Sequence, residues 1–85
     1  MEINKKMSYS EFEWMLCNRV FTMAVFSPFE YSGITSLIIQ DWGHIVIMIT
    51  CNREGKIRVS YPDAQVFYDS YDAAYAGICS WKKKR

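Results

Sequence analysis

Between Ile34 and Tyr61 the chain passes through three strand-like runs, Ile34–Gln40, His44–Thr50 and Lys56–Tyr61. Turn formers separate them: Asp41-Trp42-Gly43 can close a first hairpin and Cys51 to Gly55 a second, with Gly55 free to take positive φ. Connections this short impose antiparallel pairing. Pairing Gln40 with His44 and Thr50 with Lys56 sorts the side chains onto two faces. Leu37, Ile39, Ile45, Ile47, Ile49, Ile57, Val59 and Tyr61 form a uniformly apolar face, which predicts that two helices pack there. Ile34, Ser36, Ile38, Gln40, His44, Val46, Met48, Thr50, Lys56, Arg58 and Ser60 form the other. It is mixed, with an apolar centre at Ile38, Val46 and Met48. A wholly solvated antiparallel face is more polar than this, so a helix or a partner is expected over it.

Helix signals lie on both sides of the meander. Ser8 with Glu11, and Ser10 with Glu13, both have capping-box spacing, and Phe12, Met15, Leu16 and Val20 follow at helical intervals. This predicts a helix over about residues 9–19. At the other end Asp69-Ser70 can cap a helix over about 71–83, with Tyr71, Ala74, Tyr75 and Ile78 on one face. Val20 to Phe26 reads as a first strand, ended at Ser27-Pro28 because proline lacks the ladder amide, and Phe29 to Gly33 as a loop or irregular edge. Pro62-Asp63 stops the third run of the meander, and Gln65 to Tyr68 reads as a further short strand. The expected fold is α+β: an antiparallel β-meander of three to five strands flanked by an N-terminal and a C-terminal α-helix. It is one domain over residues 1–85, with a polar lead-in at 1–7 and a basic tail at 82–85.

A chain of 85 residues buries only about 60–65% of its unfolded surface. Yet 51% of its residues are hydrophobic and 16% aromatic, more apolar material than a small core needs. The surplus belongs at the surface or in an interface. The net charge is +1, unevenly spread: Lys82, Lys83, Lys84 and Arg85 hold four of the ten basic residues, which leaves residues 1–81 at −3. The longest apolar run, Ile45 to Ile49, is far short of the ~20 residues that span a bilayer. Nor is there a signal-peptide pattern, since Ser8, Ser10, Glu11 and Glu13 interrupt the first apolar stretch. Cys17, Cys51 and Cys79 are odd in number and widely spaced, which fits reduced, buried thiols better than a disulfide framework; pairing between chains is the alternative. The expected location is cytoplasmic, the host cytoplasm if the chain is phage-encoded.

Parts for catalysis are few. His44, the only histidine, follows Asp41 by three residues, but no serine or cysteine is marked as their nucleophile. One histidine and scattered cysteines lack zinc-site spacing, and the four glycines form no phosphate-cradling loop. A noncatalytic protein is expected, with no cofactor, no metal and no small-molecule substrate.

Binding is the function that remains. A protein-binding face is expected at Ile38, Val46, Met48, Lys56, Arg58 and Trp42, whose residue types are those of interfaces. The partner would be a host protein; a homodimer is a second way to hide the surplus apolar surface. The competing reading is an RNA-binding regulator, with Arg53, Lys56, Arg58, Lys82, Lys83, Lys84 and Arg85 tracking phosphates while Trp42, Tyr31 or Tyr68 stacks a base. In general character, short, aromatic-rich, α+β and without a catalytic signature, the chain is similar to small accessory proteins of bacteriophages and mobile elements. Such proteins often act as stoichiometric inhibitors of host enzymes or defence systems, and that is what the likeness implies here.

Overall fold

The computed structural model describes residues 6–41, 44–52 and 54–84. Helix α1 (Tyr9–Met15) begins at Ser8, whose Oγ accepts a hydrogen bond from the Glu11 amide at 3.2 Å. Of the two serines with capping spacing, the first is the one used; it satisfies an amide that the first turn leaves without a helical partner. The helix continues as a π turn over Leu16–Val20, closed by the Phe21 amide on the Leu16 carbonyl at 2.8 Å. Phe12, Leu16 and Phe21 are all buried, so the wider turn keeps the stripe aimed at the core while the chain leaves the helix.

Strand β1 is Val25–Tyr31, five residues later than its sequence signal suggested. Pro28 does not end it but sits at its middle, opposite Leu37. The reason is position: β1 is an edge of the sheet, where a strand has no second neighbour to bond and proline is tolerated. The segment expected to be a loop is therefore strand up to Tyr31, then a two-residue turn. Ser32 and Gly33 both take positive φ, 53° and 77°, as the tightest hairpin turns require. Strands β2 (Ile34–Asp41), β3 (His44–Cys51), β4 (Ile57–Tyr61) and β5 (Ala64–Tyr68) follow, and the sheet order is β1-β2-β3-β4-β5, antiparallel throughout.

The register differs from the expected one by two residues in both central hairpins. Ile38 faces Met48 rather than Val46, and Thr50 faces Arg58 rather than Lys56. A slip of two leaves every side chain on its own face. The exception is a β-bulge: Ile39 pairs with Ile47 but Gln40 with Ile45, so Val46 is an extra residue. That one residue exchanges two faces. Ile45, expected in the core, is 59% exposed, and Val46, expected on the opposite face, packs against the core.

Asn52 shapes the β3–β4 loop. Its Oδ1 accepts from the amides of Glu54 and Lys56, both at 2.9 Å, and Gly55 takes φ 86° as anticipated. Helix α2 (Tyr71–Lys83) starts at Ser70, whose Oγ accepts from the Ala73 amide at 3.1 Å. Ala74 and Ile78 are buried against Leu37, Ile39, Ile47, Ile49, Ile57, Val59 and Tyr61 in one cluster with the α1 residues. Both helices therefore cover the same face of the sheet.

Aromatic residues bind the two layers together. The Tyr71 ring lies 5.0 Å from Phe12 and 5.8 Å from Tyr9, and its hydroxyl donates to Cys51 Sγ at 3.1 Å. The Tyr61 ring lies 5.0 Å from Trp81, and its hydroxyl shares a 3.0 Å hydrogen bond with that of Tyr68. Burial first, then these hydrogen bonds, pushes the phenols of Tyr61 and Tyr71 well above the ordinary tyrosine range; burial also raises Tyr9. The cysteines are unpaired, but Cys17 is exposed rather than buried because it falls on the solvent side of the π turn; Cys51 and Cys79 are half-buried. No helix among the described residues is long and apolar enough to cross a membrane.

Candidate functional site

Among the described residues no element is layered over the other face of the sheet. Register and alternation place these residues on it: Val25, Ser27, Phe29 and Tyr31 from β1; Ile34, Ser36, Ile38 and Gln40 from β2; Ile45, Met48 and Thr50 from β3; Arg58 and Ser60 from β4; Gln65 and Phe67 from β5. Tyr31 is 76% exposed, Phe67 64%, Val25 63% and Phe29 48%, so large apolar side chains stand in solvent across the full width of the sheet. A free antiparallel face is ordinarily solvated by polar side chains, whereas this one carries several large apolar side chains in solvent, interspersed with polar ones.

Ile38 and Met48 pair at its centre and are half-buried by their neighbours. Arg58, the one charged side chain among these residues, lies between Thr50 and Phe67. Its Nε is shielded from solvent and has no hydrogen-bond partner among the described residues. Leaving such a donor unsatisfied costs about 1–3 kcal/mol.

The expected protein-binding residues thus separate. Ile38, Met48 and Arg58 share the uncovered face; Val46 belongs to the core side; Lys56 stands before β4, with its Nζ 3.1 Å from Asp69 Oδ1 in an exposed ion pair. Trp42, Arg53 and Arg85 lie outside the described residues. The aromatic part of the face was not anticipated: Phe29 and Phe67 were not singled out, and Tyr31 was considered only as a surface for stacking a base. The alternation of Val25, Ser27, Phe29 and Tyr31 ahead of Ser32-Gly33 was the available signal, and the proline at 28 obscured it.

The basic residues do not form one track. Arg58 is on the uncovered face, whereas α2 carries Lys82 and Lys83 on the opposite side of the sheet, with Lys84 as its C-cap. There a groove of about 550 Å³ runs between the π turn and α2, lined by Arg19, Val20, Ala76, Cys79, Ser80, Lys82 and Lys83. Arg19 was not anticipated as a partner of the tail. Its guanidinium stands 5.9 Å from the centroid of the Trp14 ring, and Lys82 Nζ stands 5.8 Å from that of Phe21.

His44 is exposed and opposite Asp41 at the end of the β2–β3 hairpin. Among the described residues no three His, Cys, Asp or Glu side chains are grouped to hold a metal ion. No protein-family model matches the chain, and no curated protein or solved structure is significantly similar to it.

Proposed function

We propose that the chain is a noncatalytic protein-binding module that docks a partner protein on its uncovered sheet face and acts by occlusion, as a stoichiometric inhibitor or adaptor. The observation that carries this reading is the exposure of Val25, Phe29, Tyr31, Ile45 and Phe67 on a face over which none of the described elements is layered. Size supports it. Five strands about 4.8 Å apart, each contributing about seven residues at ~3.3 Å, project roughly 550 Å². Accessible area exceeds projected area, which brings the face close to the ~800 Å² per partner of a stable complex. Arg58 adds a charge to the middle of this face, between Thr50 and Phe67, which favours a partner that presents an acceptor or a carboxylate there. The likeness in character to accessory proteins of phages and mobile elements orders the candidates: a host enzyme or defence component, met in the host cytoplasm.

The test compares two baits, the wild-type chain and a Met48→Asp/Arg58→Glu variant whose thermal melting shows it folded. A host protein retained by the first and lost by the second supports the reading. Equal retention by both removes the face from consideration. Sedimentation of the wild type alone completes the test: a dimer that the same variant dissolves means the face is occupied by a second copy, not a host protein.

A further inference from the structure

The groove on the helical side is independent of the uncovered face. We infer that it binds the phosphate backbone of single-stranded nucleic acid, with Trp14 as the platform for a base. Arg19 from the π turn and Lys82 and Lys83 from α2 line one concavity, and among the described residues no carboxylate lines it. Among the described residues none of the three cations forms an ion pair, whereas Lys56 is paired to Asp69. The helix end contributes an opposing partial charge of about −0.5, which the lysines of the last turn outweigh. The Ser80 hydroxyl on the groove wall is a further donor to a phosphate oxygen.

Two features favour nucleic acid over an acidic protein segment. Arg19 offers a planar fork that matches phosphate oxygens, and its guanidinium stands 5.9 Å from the centroid of the Trp14 ring. Trp14 is itself 55% exposed, an open aromatic surface beside the cationic groove. Cations interleaved with a stacking surface are the recurrent composition of single-strand sites, which need no base-specific contact.

The probe is a labelled single-stranded oligothymidylate, followed by fluorescence anisotropy. Sequence-independent binding in the micromolar to hundred-micromolar range is expected at low salt. Three phosphate contacts give a log–log salt slope near −2, so affinity should fall roughly 20-fold between about 50 and 200 mM salt. Arg19→Gln/Lys83→Gln should weaken binding and bring the slope to about −0.7, while Lys56→Gln should bind like the wild type. Trp14→Ala should lose roughly tenfold for the oligothymidylate and little for inorganic polyphosphate, which has no base to stack. These exposed positions leave folding intact, which thermal melting of each variant checks. Absence of binding at low salt overturns the inference, and so does binding that survives the Arg19/Lys83 change. Polyglutamate binding as tightly as the oligonucleotide overturns it too, because the groove would then be a dock for acidic protein.

Discussion

Replacing Gly77 by alanine should destabilise this protein, although the same change in most helices does the reverse. Gly77 lies inside α2, where alanine is favoured over glycine by about 0.8–1 kcal/mol. Here a Cβ would stand 2.6 Å from Cζ and 2.8 Å from Cε1 of Tyr68, against an ordinary carbon–carbon contact of ~3.5–4.0 Å. The phenol must retreat by about 1 Å, and it cannot do so freely because its hydroxyl bonds that of Tyr61, which in turn stacks on Trp81. Overpacking costs about 1–3 kcal/mol, and loss of the tyrosine pair about 0.5–1.5 more. Set against the propensity gain, the net loss centres on about 2 kcal/mol, or roughly 8–16 °C in a domain of this size. Thermal unfolding followed by circular dichroism measures it. The control is the same substitution in a Tyr68→Ala background, where the ring is gone and Gly77→Ala should stabilise by up to about 1 kcal/mol. A single Gly77→Ala variant that melts higher than wild type would refute the close approach of β5 to α2 on which the argument rests.

Alkaline pH should unfold the protein through its tyrosines: with folded-state pKa values raised above 10.0 for Tyr9, Tyr61, Tyr71 and Tyr75, their contribution is intact below pH 10 and is lost as pH rises above it. Each tyrosine still protonated in the native state and ionised in the unfolded one lowers stability by about 1.4 kcal/mol per pH unit; tyrosinate absorbance that titrates normally before ellipticity changes would contradict this. The bulge makes a second prediction by sign. Ile45→Lys should leave stability within about 0.5 kcal/mol, whereas Val46→Lys should cost several times more because it puts a cation against the core; urea midpoints decide, and the opposite order would return Val46 to the outer face.

Where residue type and alternation act locally, the sequence was a sufficient guide. The serine caps at 8 and 70, the glycine turn at 55, the amphipathic stripe of α2 and, with the exception of Ile45, the core set from Leu37 to Tyr61 follow from rules that span no more than eight residues. Two departures have a non-local cause. Pro28 ends a strand only if that strand has neighbours on both sides, and whether β1 is an edge depends on the sheet order, which no local pattern contains. The Val46 bulge is likewise a property of two strands together: Ile45-Val46-Ile47-Met48-Ile49 is uniformly apolar, so alternation cannot reveal where one residue has been added. The candidate site was half legible for the same reason. Ile38, Met48 and Arg58 came from the well-patterned meander, whereas Phe29, Tyr31 and Phe67 lie on the two edge strands, whose partners had to be known first.

The side chains of the uncovered face have two possible origins, strand propensity and a partner. Strand propensity accounts for part of it, because β-branched and aromatic residues suit a pleated sheet whether or not anything covers them. That account makes no distinction between threonine and phenylalanine at exposed positions, since both are good strand formers. The face instead holds Val25, Phe29, Tyr31, Ile45 and Phe67, while Ser27, Ser36, Thr50, Ser60 and Gln65 are scattered between them. The core beneath is complete without the first group: Leu37, Ile39, Ile47, Val59 and Ile78 have no exposed surface. Polar strand formers in place of those apolar residues would therefore preserve the fold and reduce the risk of aggregation. An apolar choice that the chain's own stability does not require is what a docking partner would account for, and this is the physical ground for the proposal that the face binds one.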